Sequence, residues 1–480
     1  MRRVLIAAGA LFVLASAGAL VAWYLHVKHA SRDVKGSSTV EFVTTQGALP
    51  PPPEPGIAWP TFGHDAEHLR FANGSLLAPP FRRVWTFRAQ SLVEFPPAIG
   101  YGRLFFASNA GIMFAIGAKN GRRAWKLDSH RCVASSPALD RHVVYQAYLN
   151  APPCNRKPST SLTGEVVAYA VGTGRVIWRR QIGPSETSPV VSRASIFVGD
   201  WNGRVWALRR TNGRTRWVTK LDGQVKGAVA ISGDRVFVGD YSGHVYALSY
   251  TTGKVLWKAK AQPRFGGTGR FYATPSAAYG RVFIGATDGK VYSFGAASGK
   301  LRWSQSTGGY VYSSTAVWRD RVYAGSYSKR FFCFDAATGR ILWEFKADGQ
   351  ISGSPTVVAG RVYFATLSGR TYALDARSGR PLWTFPDGKY SPVVADASRL
   401  YLVGYTKIYG LAPTATPGIV TASELRRLRH PGVLVVRYAS RRAAATHGGV
   451  QVCNVVLTKH GSAAGRFWST VHAVQKACRG

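Results

Sequence analysis

The sequence predicts an all-β fold, an eight-bladed β-propeller with tryptophan-docking motifs, preceded by one N-terminal transmembrane helix. Three observations carry this. Tryptophan recurs at Trp85, Trp125, Trp178, Trp217, Trp257, Trp303, Trp343 and Trp383, with spacings of 40, 53, 39, 40, 46, 40 and 40. The text between the tryptophans repeats as well, which marks a modular architecture. Ahead of the repeats, residues 4–25 form a run of 22 uncharged residues.

Taken in order, the first element is that apolar run. A helix of its length rises roughly 33 Å, enough to cross a bilayer. Arg2 and Arg3 precede it, and Trp23 and Tyr24 lie at its far end, where interfacial aromatics belong. Residues 1–25 are therefore expected to be a signal anchor in the plasma membrane, single-pass, with the rest of the chain extracytoplasmic. Two alternatives stay open: cleavage after Ala15-Ser16-Ala17, and the inverse orientation, since Lys28, Arg32 and Lys35 follow the run. Residues 26–55 read as a polar linker whose LPPPPEP stretch (49–55) is stiff and extended.

Residues 56–413 read as the propeller. SPVVSRASIFVGDWNGRVWALRRTNGRTRW (188–217) and TPSAAYGRVFIGATDGKVYSFGAASGKLRW (274–303) each parse into four short strands, A to D. Turn pairs such as D-G, S-G and T-G separate them, glycine supplying the positive φ of tight turns. Four antiparallel strands in 40 residues make one blade. Seven complete units end at Trp125 through Trp383. An eighth, SPVVADASRLYLVGYTKIYGLAP (391–413), lacks strand D, while FRRVWTF (81–87) is a D strand without a blade. Pairing the two closes the ring and removes its exposed edges.

The tail, residues 414–480, leaves the repeat and carries ten Lys/Arg against the single acid Glu424. Two readings stand: a small strand and helix element closed by Cys453–Cys478, or a largely disordered segment. Of the other cysteines, Cys333 falls within a C strand and reads as a small apolar residue. Cys132 and Cys154 fall on one face of the ring, so a disulfide between them would pin the insertion 148–164.

The strings FDAATGRILW (334–343) and LDARSGRPLW (374–383) resemble the tryptophan-docking motif of quinoprotein alcohol dehydrogenases. The same pyrroloquinoline-quinone-like (PQQ-like) repeat occurs in non-catalytic propellers of the BamB type. The resemblance implies that each tryptophan locks neighbouring blades together, and it specifies fold rather than function. Asp335 and Asp375 keep the motif's aspartate and are expected to cap the turn that follows. A quinone enzyme would need calcium held by oxygen ligands, and Asp200, Asp240 and Asp288, at equivalent B-strand ends, are the acids that invite that reading. The competing reading makes them turn residues. No catalytic or metal-ligating set emerges, and no cofactor is predicted; PQQ and calcium belong to the dehydrogenase alternative only.

The expected function is a non-catalytic, membrane-tethered binding or scaffold propeller. Its expected partners are envelope proteins or anionic cell-wall polymer. The net charge of +39 favours anionic partners, and export argues against nucleic acid. In an up-and-down blade the A–B and C–D turns lie on one side of the ring, here termed the turn rim. B–C turns and D–A crossings lie on the other, the loop face. Both insertions, 148–164 and 258–274, fall on the loop face, where long loops on a rigid scaffold carry recognition. The candidate recognition residues are Tyr148, Asn150, Arg156, Lys157, Arg264, Phe265, Arg270 and Phe271. A ring of cations is expected on the turn rim, from Arg235, Arg281, Arg321 and Arg361 opening B strands and Arg175, Arg214, Lys254, Lys300, Arg340 and Arg380 opening D strands. Arg204, Lys290, Arg330 and Arg370 add charge to the loop face.

Overall fold

Strands B and C of each repeat are almost continuously apolar, so both of their faces must be covered. In the computed structural model they are covered by the neighbouring blades: Arg361–Thr366 and Arg370–Asp375, for example, are buried over nearly their whole length. Strand D lies outermost and alternates instead, as at Val255–Lys260. The structure describes residues 2–44, 54–72, 77–154, 161–264, 267–391 and 393–414, with the backbones of two short strands at Val433–Val436 and Val455–Thr458.

Eight antiparallel sheets of four repeat strands form the ring. The eighth takes strands A to C from Val394–Ala395, Leu400–Val403 and Lys407–Pro413, and its D strand from Phe81–Arg88. Phe81 pairs with Pro413 and Arg88 with Lys407, so the ring is zipped shut by its two ends.

Each D strand carries the same irregularity. Its register against strand C slips by one residue just before the tryptophan, as where Ala207 faces Trp217 and Leu208 faces Thr215. Such a bulge re-aims the side chain that follows it. The indole thereby turns to the next blade and lies on the glycine of that blade's C–D turn. A Cβ added to Gly253 would sit 2.6 Å from the Trp217 ring, and one on Gly213 equally close to Trp178. Both glycines also have positive φ, +73° and +69°. The indole N–H donates to a carbonyl of the same turn: Trp178 to Arg210, Trp217 to Tyr250, Trp257 to Ala296 and Trp303 to Ala336, all at 2.9–3.1 Å. At Trp343 the pattern changes: the equivalent Ala376 carbonyl accepts from Tyr323 Oη instead. At the closure there is no C–D turn, and Trp383 meets the edge of Phe81 at 5.4 Å.

Two segments outside the repeats complete the ring. Residues 31–43 form a strap that climbs the outside of the fifth blade from loop face to turn rim. Val34 bridges to Ser304, Asp33 pairs with Lys290 at 2.9 Å, Glu41 pairs with Arg302, and Phe42 stacks on Tyr279. Residues 57–72 then run along the innermost A strands. Ile57–Trp59 pairs with the first blade; Pro60, Ala66, Glu67, Leu69 and Arg70 offer carbonyls to Leu139, Ile231, Ala277, Val317 and Val357 in five others. Thr61 bonds the Pro189 carbonyl, beside the third blade's A strand, and Trp59 and Leu77 pack with the eighth. The segment is a plug that circles the axis; His64, His68 and Arg70 take φ values of +74°, +57° and +60° to make it turn.

Helix α1, Arg2–Ala30, precedes the strap. From Leu14 to His29 only Val27 is buried. Among the described residues no helix is long and apolar enough to cross a membrane. The side chains of residues 4–13, part of the expected span, lie outside the described residues, as do Cys453 and Cys478.

Docking of indole on glycine makes a direct prediction. Gly253→Ala adds a clash with Trp217 to the strain of a positive φ, whereas Gly233 has φ +61° and nothing within 4 Å of an added Cβ. Urea unfolding should show Gly253→Ala costing about 3 kcal/mol and Gly233→Ala about 1 kcal/mol. Equal costs would remove the docking interaction from the account.

Candidate binding cup on the loop face

The crossings into strand A show where the repeats diverge. A buried apolar residue recurs there, as Val93, Val133, Val225, Phe271, Val311 and Ile351. The residue after it varies in chemistry: Glu94, Ala134, Lys226, Tyr272, Tyr312 and Ser352, with Glu186 at the same place in the third blade. Two residues further on, hydroxyls tie blade to blade. Ser188, Thr274, Ser314 and Ser354 accept the backbone N–H groups of Ser136, Ala228, Thr274 and Ser314, each at 3.0 Å. The same contact thus ties four of the blade junctions along the inner wall, and the variable side chains stand just above it.

Glu94, Glu186, Lys226, Tyr272 and Tyr312 of this column, with Tyr390 of the eighth blade's crossing, line a small cup of about 70 Å³. Phe62 of the plug is its floor, with the Arg70 guanidinium 4.0 Å behind the ring. Lys226 reaches Glu186 Oε1 at 2.9 Å and lies 4.6 Å from the Trp201 ring and 5.0 Å from that of Tyr241. Burial pushes the carboxyls of Glu94 and Glu186 above the usual carboxylate range; Lys226 works against that shift at Glu186. Tyrosines continue the wall outward: Tyr272 meets Tyr312 edge-on at 5.3 Å, and Tyr312 meets Tyr327 at 5.0 Å.

A family model described as outer membrane protein assembly factor BamB matches residues 162–310 and 288–426, more than half of the chain. The chain belongs to this BamB-type family of PQQ repeats. Outer membrane protein assembly factor BamB of Xanthomonas campestris pv. campestris is 28% identical over 151 residues, 29% of this chain and 34% of that protein. The protein of the same name from Alkalilimnicola ehrlichii is 41% identical over 54 residues, 11% of this chain and 14% of its own length. The matched stretch therefore spans about a third or less of these curated relatives. Among solved structures, BamB from Moraxella catarrhalis has a TM-score of 0.57 at 17% identity, covering 69% of this chain and 100% of that one. A europium-containing methanol dehydrogenase has a TM-score of 0.63 at 12% identity, covering 75% and 98%. At such identities the likeness shows the fold alone.

The fold that BamB-type propellers share with quinone enzymes raises the question of calcium. Asp200 accepts from Gly183 N, Arg204 N and Trp206 Nε1; Asp240 from Gly223 N, Ser242 N, His244 N and Tyr246 Oη. Asp288 accepts from Lys290 N and Tyr292 Oη. These aspartates stitch a B–C turn, two of them binding the preceding crossing as well, and their oxygens do not converge. In the cup, the Lys226 ammonium holds the place a cation would take beside Glu186. Among the described residues no three of His, Cys, Asp and Glu are placed to hold a metal ion. The residues present do not fit a calcium-bound quinone.

The insertion residues separate into two groups. Cys132 and Cys154 form a disulfide with Cα atoms 5.5 Å apart. Tyr148, Asn150 and Phe271 are buried, so they shape the loops from within and offer no contact surface. Tyr148 ends strand B and bonds Tyr169 at 2.7 Å; Asn150 donates to the carbonyls of Ala151 and Pro153; Phe271 is the apolar residue before strand A. Arg264 is exposed and donates to Thr287 O at 3.1 Å, and Arg270 lies 5.4 Å from the Tyr241 ring at the cup's edge. Arg156, Lys157 and Phe265 lie outside the described residues. Sequence reasoning missed the cup residues, although their signal was present as the column in which the repeats disagree. Asp335 and Asp375 cap their turns through the N–H groups of Thr338 and Ser378, each at 2.8 Å.

The Glu186–Lys226 pair yields a second prediction. Lys226→Met leaves a buried carboxylate without its partner and should cost about 3 kcal/mol at pH 8. Without Lys226 to oppose the effect of burial, the carboxyl of Glu186 is raised further. A raised carboxyl loses stability as pH rises through its folded pKa, so the deficit should shrink toward pH 5. Adding Glu186→Gln should restore most of the loss. Melting curves at the two pH values check this, and a deficit independent of pH would contradict it.

Proposed function

We propose that the chain is a non-catalytic scaffold, tethered by α1 in the plasma membrane with its propeller outside the cytoplasm, whose axial cup receives a segment of a partner envelope protein. The observation that carries this is the cup itself. Repeats that agree elsewhere disagree in the one column that faces the axial opening, and that column supplies two carboxylates, a lysine and aromatic faces. Pocket and chemistry suit a few side chains of an extended segment: flat rings to stack on, a paired charge, and an enclosed floor. The names of the curated relatives point the same way, since an assembly factor works by contact with other proteins. Support for the tether comes from the uncharged run with Arg2 and Arg3 before it, and from Leu14, Leu20, Val21 and Leu25, all more than half exposed on α1. An apolar helix in that state needs a partner phase.

Anionic cell-wall polymer is the second partner class, favoured by the charge of the turn rim. The dehydrogenase alternative has the shared fold in its favour and the poor fit of the donor set against it.

Site-specific photo-cross-linking tests the reading. Benzoylphenylalanine at Tyr312 or Tyr390, in the cup wall, should give discrete protein adducts in intact cells. The same group at Ile177 or Val255, on outer strands, should not, and Lys226→Glu should abolish the adducts. Adducts no different from those of the outer positions would overturn the cup as the recognition site. Dye reduction by the purified chain with added quinone, calcium and an alcohol would overturn the non-catalytic reading.

A further inference from the structure

The expected cation ring divides into two sets with different duties. The arginines that open B strands are consumed internally. Arg235 donates to the Ala296 and Ala297 carbonyls of the next blade, Arg321 to Arg377 O and Arg361 to Ala359 O. Arg281 is fully buried and holds the strap through Ser37, Val40 and Glu41 carbonyls.

The bases that open D strands are free. Arg175, Arg214, Lys254, Lys300, Arg340 and Arg380 are all exposed, and Arg122 extends the series into the first blade. None of the seven forms an ion pair among the described residues. Each follows a turn glycine that carries its neighbour's tryptophan, so the blade packing fixes these cations around the turn rim. Acids nearby are engaged elsewhere: Asp335 and Asp375 on turn amides, Glu41 with Arg302, Asp140 with Arg210, Glu54 with Arg141, while the exposed Asp234 and Asp320 each lie 3.7 Å from a B-strand arginine, Arg235 and Arg321. The loop face mixes its signs, with Lys226, Lys258, Lys290, Arg330 and Arg370 each beside a carboxylate.

We propose that the turn rim is a docking surface for a linear polymer with repeating phosphate charge. The inference deepens the scaffold reading above and rests on it in one respect, the choice of polymer over bilayer. Helix α1 ends at the loop face, where Gln262 holds the Ala30 and Arg32 carbonyls and Lys290 the Ser31 carbonyl. The strap leaves no slack between helix and ring. A bilayer holding α1 therefore lies on the loop-face side, and the free cations point away from it. Five of the seven are arginines, whose planar forks suit phosphate oxygens. A chain of evenly placed charges can engage several at once, which multiplies weak contacts.

The test uses the full chain in detergent and fluorescent long-chain polyphosphate, with binding read by anisotropy from about 50 to about 300 mM salt. Affinity should fall steeply with salt. Charge reversal of Arg175, Lys254, Arg340 and Arg380 to Glu should weaken binding about tenfold or more. Reversal of four exposed loop-face lysines, Lys220, Lys260, Lys329 and Lys346, changes net charge equally and should weaken it less than about twofold. Equal losses in both sets would show a response to net charge alone and overturn the assignment. Polyglutamate binding as tightly as polyphosphate would overturn the preference for phosphate, and tighter binding of duplex DNA through the same rim would replace the polymer with nucleic acid. Sedimentation of the full chain with membranes reads the tether separately, so the two readings can fail independently.

Discussion

Everything in this fold depends on an indole laid across a glycine of the next blade. Each ring covers a large apolar area, of the order of 150–250 Å² for a tryptophan, and does so only because the turn beneath has no Cβ. The same glycine must also adopt a left-handed backbone. One residue therefore answers two constraints, and a bulge before each tryptophan answers the third by aiming the ring. Repeated round the axis, the contact fixes the angle between neighbours. At the seam the chain has no C–D turn to offer, and an edge contact from Phe81 to Trp383 stands in for it.

That double constraint explains why so much was legible in the sequence. Period, strand order, blade number and the pairing of residues 81–88 with 407–413 all follow from tryptophans and turn glycines. The disulfide between Cys132 and Cys154 follows from placing two loops on one face. What could not be read has a common cause. The strap and the plug hold on mainly through backbone carbonyls and irregular turns, and a carbonyl carries no sequence signature. The cup was hidden differently: its residues precede the conserved start of strand A, and a search for agreement passes over the column where the repeats disagree. Tyr148 and Phe271 misled for a local reason. Aromatics within long insertions look like contact residues until the strand register buries them.

Net charge is a poor guide to function until structural cations are set aside. Arg103 donates to the Val171 and Gly172 carbonyls, Arg235 repeats that clamp further round the ring, and Arg321 holds the single carbonyl of Arg377. These arginines strengthen the blade contact that the indoles begin, since a guanidinium fork can satisfy two turn carbonyls at once. The excess that remains for partners is smaller than the composition suggests and is unevenly distributed between the two ends of the toroid.

The plug settles what kind of site a propeller of this design can offer. A ring of eight similar blades encloses an axis with two equivalent-looking openings, and pseudo-symmetry gives a ligand no preferred orientation. Residues 57–72 break both degeneracies. They run past every blade, bury His68 and Arg70 completely, and set Phe62 as a floor. Burying a guanidinium is costly, and the arrangement offsets part of that through the Phe62 carbonyl and ring face. With one end of the axis stopped, anything that binds there enters and leaves by the loop face. The divergent column can then differ from blade to blade without weakening the ring, because the hydroxyls and indoles that hold the blades lie elsewhere. Recognition and stability are thereby separated into different residues of the same repeat, which is the condition for evolving one without losing the other.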